Sequence, residues 1–414
     1  MNTTIEATYT VATPMFCAGA VRDQAEVRVP SFKGMLRFWW RALAWSRYGG
    51  DLRTIMKQED KLFGSTENGQ SSVLVRLLTD PPTKFGRTGD QLIDDAGKVV
   101  GAGARYLGYG LVYTFPSRKN QVKEGQLIRA CILPGYTFTM SLRYRKPIDD
   151  ELTELLRDAL KAIGMLGGMG ARARRGYGSL VLQSLKIENE TVWTAPQTFD
   201  DLTGAISELL GRYRFSGLPD YTALSNQTRC VILELRNATA LVALDRIGRE
   251  MLRYRSSGKD GRILENEPAE GNFRQDHDLM KSNRPKTTYP LRVAFGLPQN
   301  YYFSSTEERF AVSPADNGLD RRASPLMIHI HNFSHDRMHH AIVVSFLPAK
   351  FLPGLGPGGK RSSVRISGKT YKGPPTIELP EEDKLYEPIH RFLDRLTDPA
   401  RCKESFLTSR EVIV

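Results

Sequence analysis

The feature that most restricts the fold is the run Gly-Gly-Met-Gly-Ala-Arg-Ala-Arg-Arg-Gly-Tyr-Gly at 167–178, read with its flanks. Before it, Leu152, Leu155, Leu156, Ala159 and Ile163 recur at helical spacing behind Asp149-Asp150, which predicts a helix; after it, residues 179–185 predict a strand. A P-loop needs Gly-Lys-Ser/Thr opening a helix, and a dinucleotide fingerprint runs strand, loop, helix, so a glycine loop leaving a helix for a strand is neither. What remains is a glycine-supported loop presenting Arg172, Arg174 and Arg175 with Tyr177 close by, suited to phosphate contacts plus base or ribose stacking. The plain alternative is a helix cap followed by a surface turn. Against it, three arginines in four positions repel unless something neutralises them.

Residues 5–11 alternate as a strand, and 14–30 form a long loop containing Gly19, Arg22 and Asp23. A helix follows, with Ser31 as the expected N-cap, a stripe of Leu36, Trp39, Trp40 and Leu43, and Gly49-Gly50 closing it. Strands are expected at 72–78 and 137–145. Between them, 83–126 is too long for an ordinary connection and reads as an insertion with its own hairpin or a functional loop. Strand, helix, strand, strand, helix, strand is the split βαβ order of a ferredoxin-like domain, which RNA recognition motifs also use. The expectation is an α+β chain whose first domain spans 1–198.

In the second half, helices are expected at 200–213, 240–254 (on Leu241, Leu244, Ile247, Met251 and Leu252) and 383–396. Strands are expected at 230–235, 326–330 and 341–347, a mobile insertion at 253–288 and a Gly/Pro-rich loop at 353–375. A second domain of the same class, 199–414, is the expectation, with a less defined topology.

The chain of 414 residues, 40% hydrophobic and 25% charged, can build real cores, which excludes collagen, coiled-coil, mucin-like and disordered-tail readings. There is no run of 18 apolar residues and no signal layout at 1–10, so a cytoplasmic protein without membrane association is expected. Cys17, Cys131, Cys230 and Cys402 form no C-x-x-C pair, which argues for free thiols over a disulfide scaffold or zinc ribbon. With 58 Lys and Arg against 46 Asp and Glu, the net charge is +12, which favours a polyanionic partner.

Lys33, Arg37 and Arg41 recur at i, i+4, i+8 on the first helix. A solvated face is the ordinary explanation, but cations near a helix N-terminus oppose its dipole unless an anion binds there. Further basic or aromatic clusters are 105–113 with Arg105, Arg118-Lys119, 281–286 with Lys281 and Arg284, Arg321-Arg322, and Lys360-Arg361. Singly these are surface charges; together they suit an extended phosphate track. His329, His331, His335, His339 and His340 fall within twelve residues, so His329, His331 and His339 are metal candidates if a hairpin joins them. Core or stacking imidazoles are the favoured reading, the His-Asp pairs at 277–278 and 335–336 lie in loop-like sequence, and no metal or other cofactor is expected. Asp23 is the one acid worth testing for RNA cleavage, with a turn residue as the favoured alternative.

The run Pro30-Ser31-Phe32-Lys33-Gly34-Met35-Leu36-Arg37-Phe38-Trp39-Trp40-Arg41-Ala42 resembles the signature of the first RAMP subunit of type III-B CRISPR effectors, the Cmr module. Leu62-Phe63-Gly64-Ser65, the glycine loop from Gly168 to Gly178, and Arg321-Arg322-Ala323-Ser324-Pro325-Leu326 are similar to further family motifs and follow in family order. The resemblance implies two RRM-like RAMP domains, a place near the crRNA 3′ end and the 5′ side of a bound target RNA, other Cmr-module RAMP subunits as partners, and no catalytic role. It further implies that Lys33, Arg37, Arg41, Arg172, Arg174 and Arg175 face RNA phosphates, and Ser31 at the helix start is a further RNA-binding candidate from the anion-site reading. The 83–126 segment would be a thumb-like hairpin with Arg118 and Lys119 near its tip.

The expectation is thus an RNA-binding structural subunit. Its rivals are a RAMP-superfamily endoribonuclease that processes repeat RNA, using Asp23 or a histidine, and a scaffold whose basic surface meets acidic protein.

Overall fold

Along β1 (Thr4–Val11), Ile5, Ala7, Tyr9 and Val11 are buried while the residues between them are partly exposed, the alternation of a strand with one covered face. The computed structural model describes residues 3–19, 21, 23–94, 96–258, 260–263, 266–281, 288–303, 306–315, 318–352, 362–369, 371, 373 and 375–413. From β1 the chain enters α1 (Val29–Arg47), then α2 (Leu52–Phe63) and a short ladder of β2 (Gly64–Ser65) with β3 (Gly69–Gln70). Next come β4 (Val73–Leu77), a second ladder of β5 (Phe85–Gly86) with β6 (Cys131–Ile132), β7 (Thr137–Tyr144), α4 (Asp150–Leu166), β8 (Leu180–Ile187) and β9 (Glu190–Thr194). The main sheet is antiparallel in the order β4-β7-β1-β8-β9, with α1 and α4 packed together. Without β9 this is the ferredoxin-like order that the sequence predicts.

Asp149 starts α4 by accepting from the Leu152 amide at 2.9 Å, and Asp150 and Glu151 in the first turn suit the helix dipole. All five expected apolar residues of α4 are buried, and so are Leu160, Ala162, Met165 and Leu166. The wider burial arises because α4 also packs against β13 (Leu326–Asn332) and β14 (His340–Phe346) of a second sheet.

That second sheet runs β13-β14-β10-β17, with β10 at Arg229–Leu235 and β17 at Thr408–Ile413. With α6 (Ala240–Arg255) after β10 and α8 (Glu382–Thr397) before β17, it repeats the βαββαβ order. Cys230, Ile232, Ala341 and Val343 face the core of the first unit, while Val231, Leu233, Ile342 and Val344 face α6 and α8. Both faces are covered, so these strands read as unbroken apolar runs. Between β10 and α8 lies a four-stranded sheet that sequence patterning did not disclose, β11 (Gln299–Phe303), β12 (Glu308–Pro314), β15 (Ser363–Gly368) and β16 (Thr376–Glu378). α5 (Phe199–Gly211) follows β9, opened by a reciprocal capping box between Thr198 and Asp201.

The insertion expected over 253–288 is narrower in the structure, because α6 runs through Arg255 and α7 (Arg274–Lys281) interrupts the segment. Arg253 reaches Glu250 and Glu404 at 2.9 and 2.8 Å and Glu267 at 2.7 Å, and Arg395 on α8 pairs with Glu250 and Glu270. These carboxylates anchor a stretch whose composition alone reads as loop.

Within 83–126, α3 (Ala102–Leu107) packs on α6, and Ser117 and Val122 exchange backbone hydrogen bonds across a turn that exposes Arg118 and Lys119. Asp245 Oδ1 accepts from the amides of Gly103 and Ala104 at 2.7 and 3.1 Å. A Cβ at Gly103 would lie 2.1 Å from the Asp245 carbonyl oxygen, so the two helices meet at this distance only through glycine. The four cysteines are free, and among the described residues no helix is long and apolar enough to cross a membrane.

Candidate nucleic-acid interface

Helix α1 starts three residues earlier than expected. Its N-cap is Arg28, with no side-chain cap, and Pro30 lies in the first turn, where its fixed φ and missing N–H cost nothing. Ser31 is therefore inside the helix and is not the cap. Leu36, Trp39, Trp40 and Leu43 are buried as predicted. Lys33 is half-buried, and burial together with Arg37 lowers its ammonium pKa. No atom lies within 4 Å of where a Gly34 Cβ would stand, which leaves the helix backbone open to approach.

Arg37 and Arg41 are less free than the stripe suggests. Arg37 Nε donates to Glu59 Oε1 at 2.8 Å, and Arg41 Nε lies 3.8 Å from Glu59 Oε2. Glu59, buried on α2, thus cancels one of the two charges. Arg41 keeps 46% of its side chain exposed to solvent.

The glycine loop folds back on the first unit through Met169 N to Gly178 O at 2.8 Å, Ala171 N to Phe16 O at 2.9 Å and Gly178 N to Pro14 O at 3.0 Å. Gly170, at φ +95°, lies against the Phe16 backbone, 2.6 Å from its carbonyl oxygen at the Cβ position, so only glycine fits there. Arg172 adopts φ +63°, is exposed, and donates from Nε to the Tyr109 carbonyl at 3.0 Å. Arg174 donates to the Ser324 carbonyl and lies with its Cζ 5.0 Å from the Phe38 ring centroid; its backbone carbonyl accepts from Ile328 N at 3.0 Å. Burial and the neighbouring Arg322 bring its guanidinium down to about 10. Arg175 is half-buried, and burial lowers its pKa as well.

Tyr177 is withdrawn from the expected stacking role. It is fully buried, its hydroxyl donates to the Ala104 carbonyl at 2.9 Å, and its ring meets Phe16 edge-on. A buried phenol needs such a partner, and α3 supplies it.

The 321–326 motif completes the convergence. Arg321 is 81% exposed, whereas Arg322 is held by Thr222 Oγ1 and the Lys350 carbonyl at 3.4 Å each, beside the Phe351 ring. Three segments far apart in sequence, α1 through Phe38, the glycine loop through Arg174 and the 321–326 motif through Ser324, therefore meet at one guanidinium.

The other expected contacts divide. Arg118 and Lys119 are exposed at their turn, and Lys281 is exposed at the end of α7, its Nζ 4.9 Å from the Phe303 ring centroid. Arg105 is buried, donates to the Val100 carbonyl and pairs with Glu124 at 3.3 Å, so it is a structural cation and not a surface one. Arg22, Arg284, Lys360 and Arg361 lie outside the described residues.

Asp23 is exposed and accepts from Thr88 Oγ1 at 2.8 Å, tying its loop to the 83–126 segment. His329, His331 and His339 are all buried; His329 Nδ1 bonds the Gly167 carbonyl at 2.6 Å, and His339 Nε2 bonds Glu234 at 2.8 Å. Among the described residues no three His, Cys, Asp or Glu side chains converge as a metal site, which corrects the metal candidacy. Sequence reasoning missed Glu59 as the counterion of the stripe, and it missed Tyr106, Arg255 and Arg292, which only the fold brings toward the glycine loop.

A profile of the RAMP superfamily matches residues 8–181. Over 177 residues the chain is 33% identical to CRISPR system Cmr subunit Cmr1-2 of Pyrococcus furiosus, spanning 42% of this chain and 92% of that protein. Over 217 residues it is 28% identical to Cmr subunit Cmr1-1 of the same organism, spanning 49% of this chain and 58% of that protein. The crystal structure of apo Cmr1 from Pyrococcus furiosus superimposes with a TM-score of 0.50 at 17% identity, over 99% of this chain and 98% of that one, a likeness of fold.

Proposed function

This chain belongs to the RAMP superfamily, among its Cmr1 subunits, and from that premise we propose that it is an RNA-binding structural subunit of a type III-B CRISPR ribonucleoprotein. In this reading it lies near the crRNA 3′ end, helps capture complementary target RNA in antiviral defence, and associates with other Cmr-module RAMP subunits in the cytoplasm. Two RAMP units, 1–198 and 199–414, would build the surface, and target cleavage would belong to other subunits.

The observation that carries the reading is the meeting of α1, the glycine loop and the 321–326 motif around Arg174, with Arg172 exposed on the same loop, Arg321 exposed on the same motif and Lys33 on α1. No carboxylate pairs with Arg172 or Arg174 among the described residues, and Arg321 has only its exposed neighbour Asp320 at 3.9 Å. Cations left this way suit a phosphate backbone. The burial of His329, His331 and His339 weighs against the endoribonuclease alternative.

The test is filter binding of end-labelled single-stranded RNA to wild type and to a Lys33→Ala, Arg172→Ala, Arg321→Ala variant, with the same RNA run on a gel for cleavage. Wild type should bind uncut RNA with little sequence preference. The variant should lower the slope of log affinity against log salt by about two, since each phosphate contact on a single strand contributes roughly 0.7. Absence of RNA affinity at low salt, free or in the assembled complex, would sink the proposal, and cutting by the subunit would make it an enzyme.

A further inference from the structure

Arg255, Arg292 and Arg175 come from three separate segments, and among the described residues none of them forms an ion pair with a carboxylate. Gln299 and Tyr301 point to the same face of β11. Arg255 Nη2 donates to Gln299 Oε1 at 3.3 Å with its Cζ 4.5 Å from the Phe295 ring centroid, and the Arg292 Cζ lies 4.9 Å from the centroid of Tyr301. The two guanidiniums are therefore neighbours over one patch of strand. Arg175, reaching in from the glycine loop, and Tyr106, from α3, complete the group; all three arginine charges act on the Tyr106 hydroxyl and lower its pKa against the effect of burial.

This chain pairs three other sequestered arginines with acids, Arg253 with Glu250, Glu267 and Glu404, Arg395 with Glu250 and Glu270, and Arg229 with Asp394 and Glu411. Here it does not. Arg255 is 4% exposed, and the Nε atoms of Arg255 and Arg292 are buried without a hydrogen-bond partner. The acid beside them, Asp276, is fully buried and accepts from the Leu291 and Arg292 amides at 2.7 and 2.9 Å and from the Tyr301 hydroxyl at 2.9 Å; the Arg292 charge acts on it, but among the described residues no guanidinium is ion-paired to it. Unpaired buried cations with free donors are costly unless a ligand supplies the negative charge.

We infer that Tyr106, Arg175, Arg255 and Arg292 build a recessed subsite for a phosphomonoester, the terminal phosphate of a bound RNA. The inference rests on the RNA-binding reading above and deepens it. Arginine forks match phosphate oxygens in geometry, and a dianion balances two of the three charges. Arg175, Arg292 and Tyr106 keep part of their surface exposed, so the group meets solvent at its edge, where a chain end can be taken up without the entry and exit that a continuous backbone requires.

The test uses the full chain and one RNA sequence in three forms, with a 5′-phosphate, with a 3′-phosphate, and with hydroxyls at both ends. One phosphorylated form should bind about tenfold tighter than the hydroxyl form, and Arg255→Gln should abolish that preference while retaining affinity for the hydroxyl RNA. In parallel, inorganic phosphate should raise the melting temperature of wild type and not of Arg255→Gln, which without phosphate should melt no lower than wild type. Arg292→Gln, at a less buried position, carries the same test should the first variant fail to fold. Equal affinity for all three RNAs overturns the subsite and leaves RNA binding intact. Affinity for none of them overturns the RNA reading too, and a phosphate-dependent melting shift would then assign the pocket to a free phosphate.

Discussion

Glu59 accepts from Arg37 at 2.8 Å from a buried position on α2, so the basic stripe of α1 has a built-in competitor for any phosphate it meets. Arg41 lies 3.8 Å from the other carboxylate oxygen. Replacing Glu59 with Gln should release both guanidiniums, tighten RNA binding about two- to fivefold and steepen its salt dependence by roughly 0.7 to 1.4 in slope. Filter binding across a salt series checks this; weaker binding by the variant would mean that Glu59 positions the arginines for RNA.

Arg174 should not be replaceable by Lys. The guanidinium both stacks on Phe38 and donates to the Ser324 carbonyl, and an ammonium cannot hold that planar arrangement. Arg174→Lys should cost about 1 kcal/mol and lower the melting temperature by roughly 2 °C. An unchanged melting curve would show that the three segments meet without help from this side chain.

Glu250 is fully buried and accepts from Arg253 and Arg395 and from the amides of Lys403 and Glu404 at 2.9 and 2.7 Å. Glu250→Gln keeps the shape but leaves two buried guanidiniums short of charge, which should cost about 3 to 5 kcal/mol. Calorimetry should record a fall in melting temperature of several degrees, accompanied by faster proteolysis around residues 256–273 if the network is what anchors that stretch.

Acid should weaken the contact between the two sheets. Burial lowers His329 and His340 to about 4 and His331 to about 3, so all three are neutral in the folded chain near pH 6. Unfolded histidine titrates near 6.5, so below that pH the unfolded chain takes up protons that the folded chain refuses. Stability is therefore full above about 6.5 and falls as pH drops toward 4, each imidazole adding a slope of up to about 1.4 kcal/mol per pH unit. His331→Phe should flatten the decline in melting temperature between pH 6.5 and 5; an equally steep decline would place the acid sensitivity elsewhere.

Gly103→Ala should loosen the 83–126 insertion. The added methyl would fall 2.1 Å from the Asp245 carbonyl oxygen and 2.3 Å from the Arg249 amide nitrogen. α3 must back away from α6 and give up the Asp245 bonds to its first turn. Faster amide exchange over residues 102–107 than in wild type is the expected result.

The local periodicities of the chain settled much of the fold. The alternation of β1, the tryptophan stripe of α1 and the capped apolar face of α4 each depend on residues within a few positions of one another, and the ferredoxin-like order of the first unit followed from them. The second unit was less legible. α8 was anticipated at 383–396, but β17 mixes polar and apolar residues and β11 and β16 of the inserted sheet span only five and three residues, so those strands have no clear local pattern.

At the site, the arginine-bearing loop and the 321–326 motif could be picked out from composition and spacing, because crowded cations are conspicuous in any sequence. Their fates could not. Whether a side chain is free, paired or buried depends on what packing places beside it: Glu59 beside Arg37, Val100 and Glu124 beside Arg105, Ala104 over Tyr177, and, among the described residues, no acid paired with Arg255. Sequence alone determined the strongly patterned elements and the excess of positive charge, since both are local or additive properties. The tertiary structure alone decided which of those charges remain available, since solvent exposure and counterions are set by residues tens to hundreds of positions away.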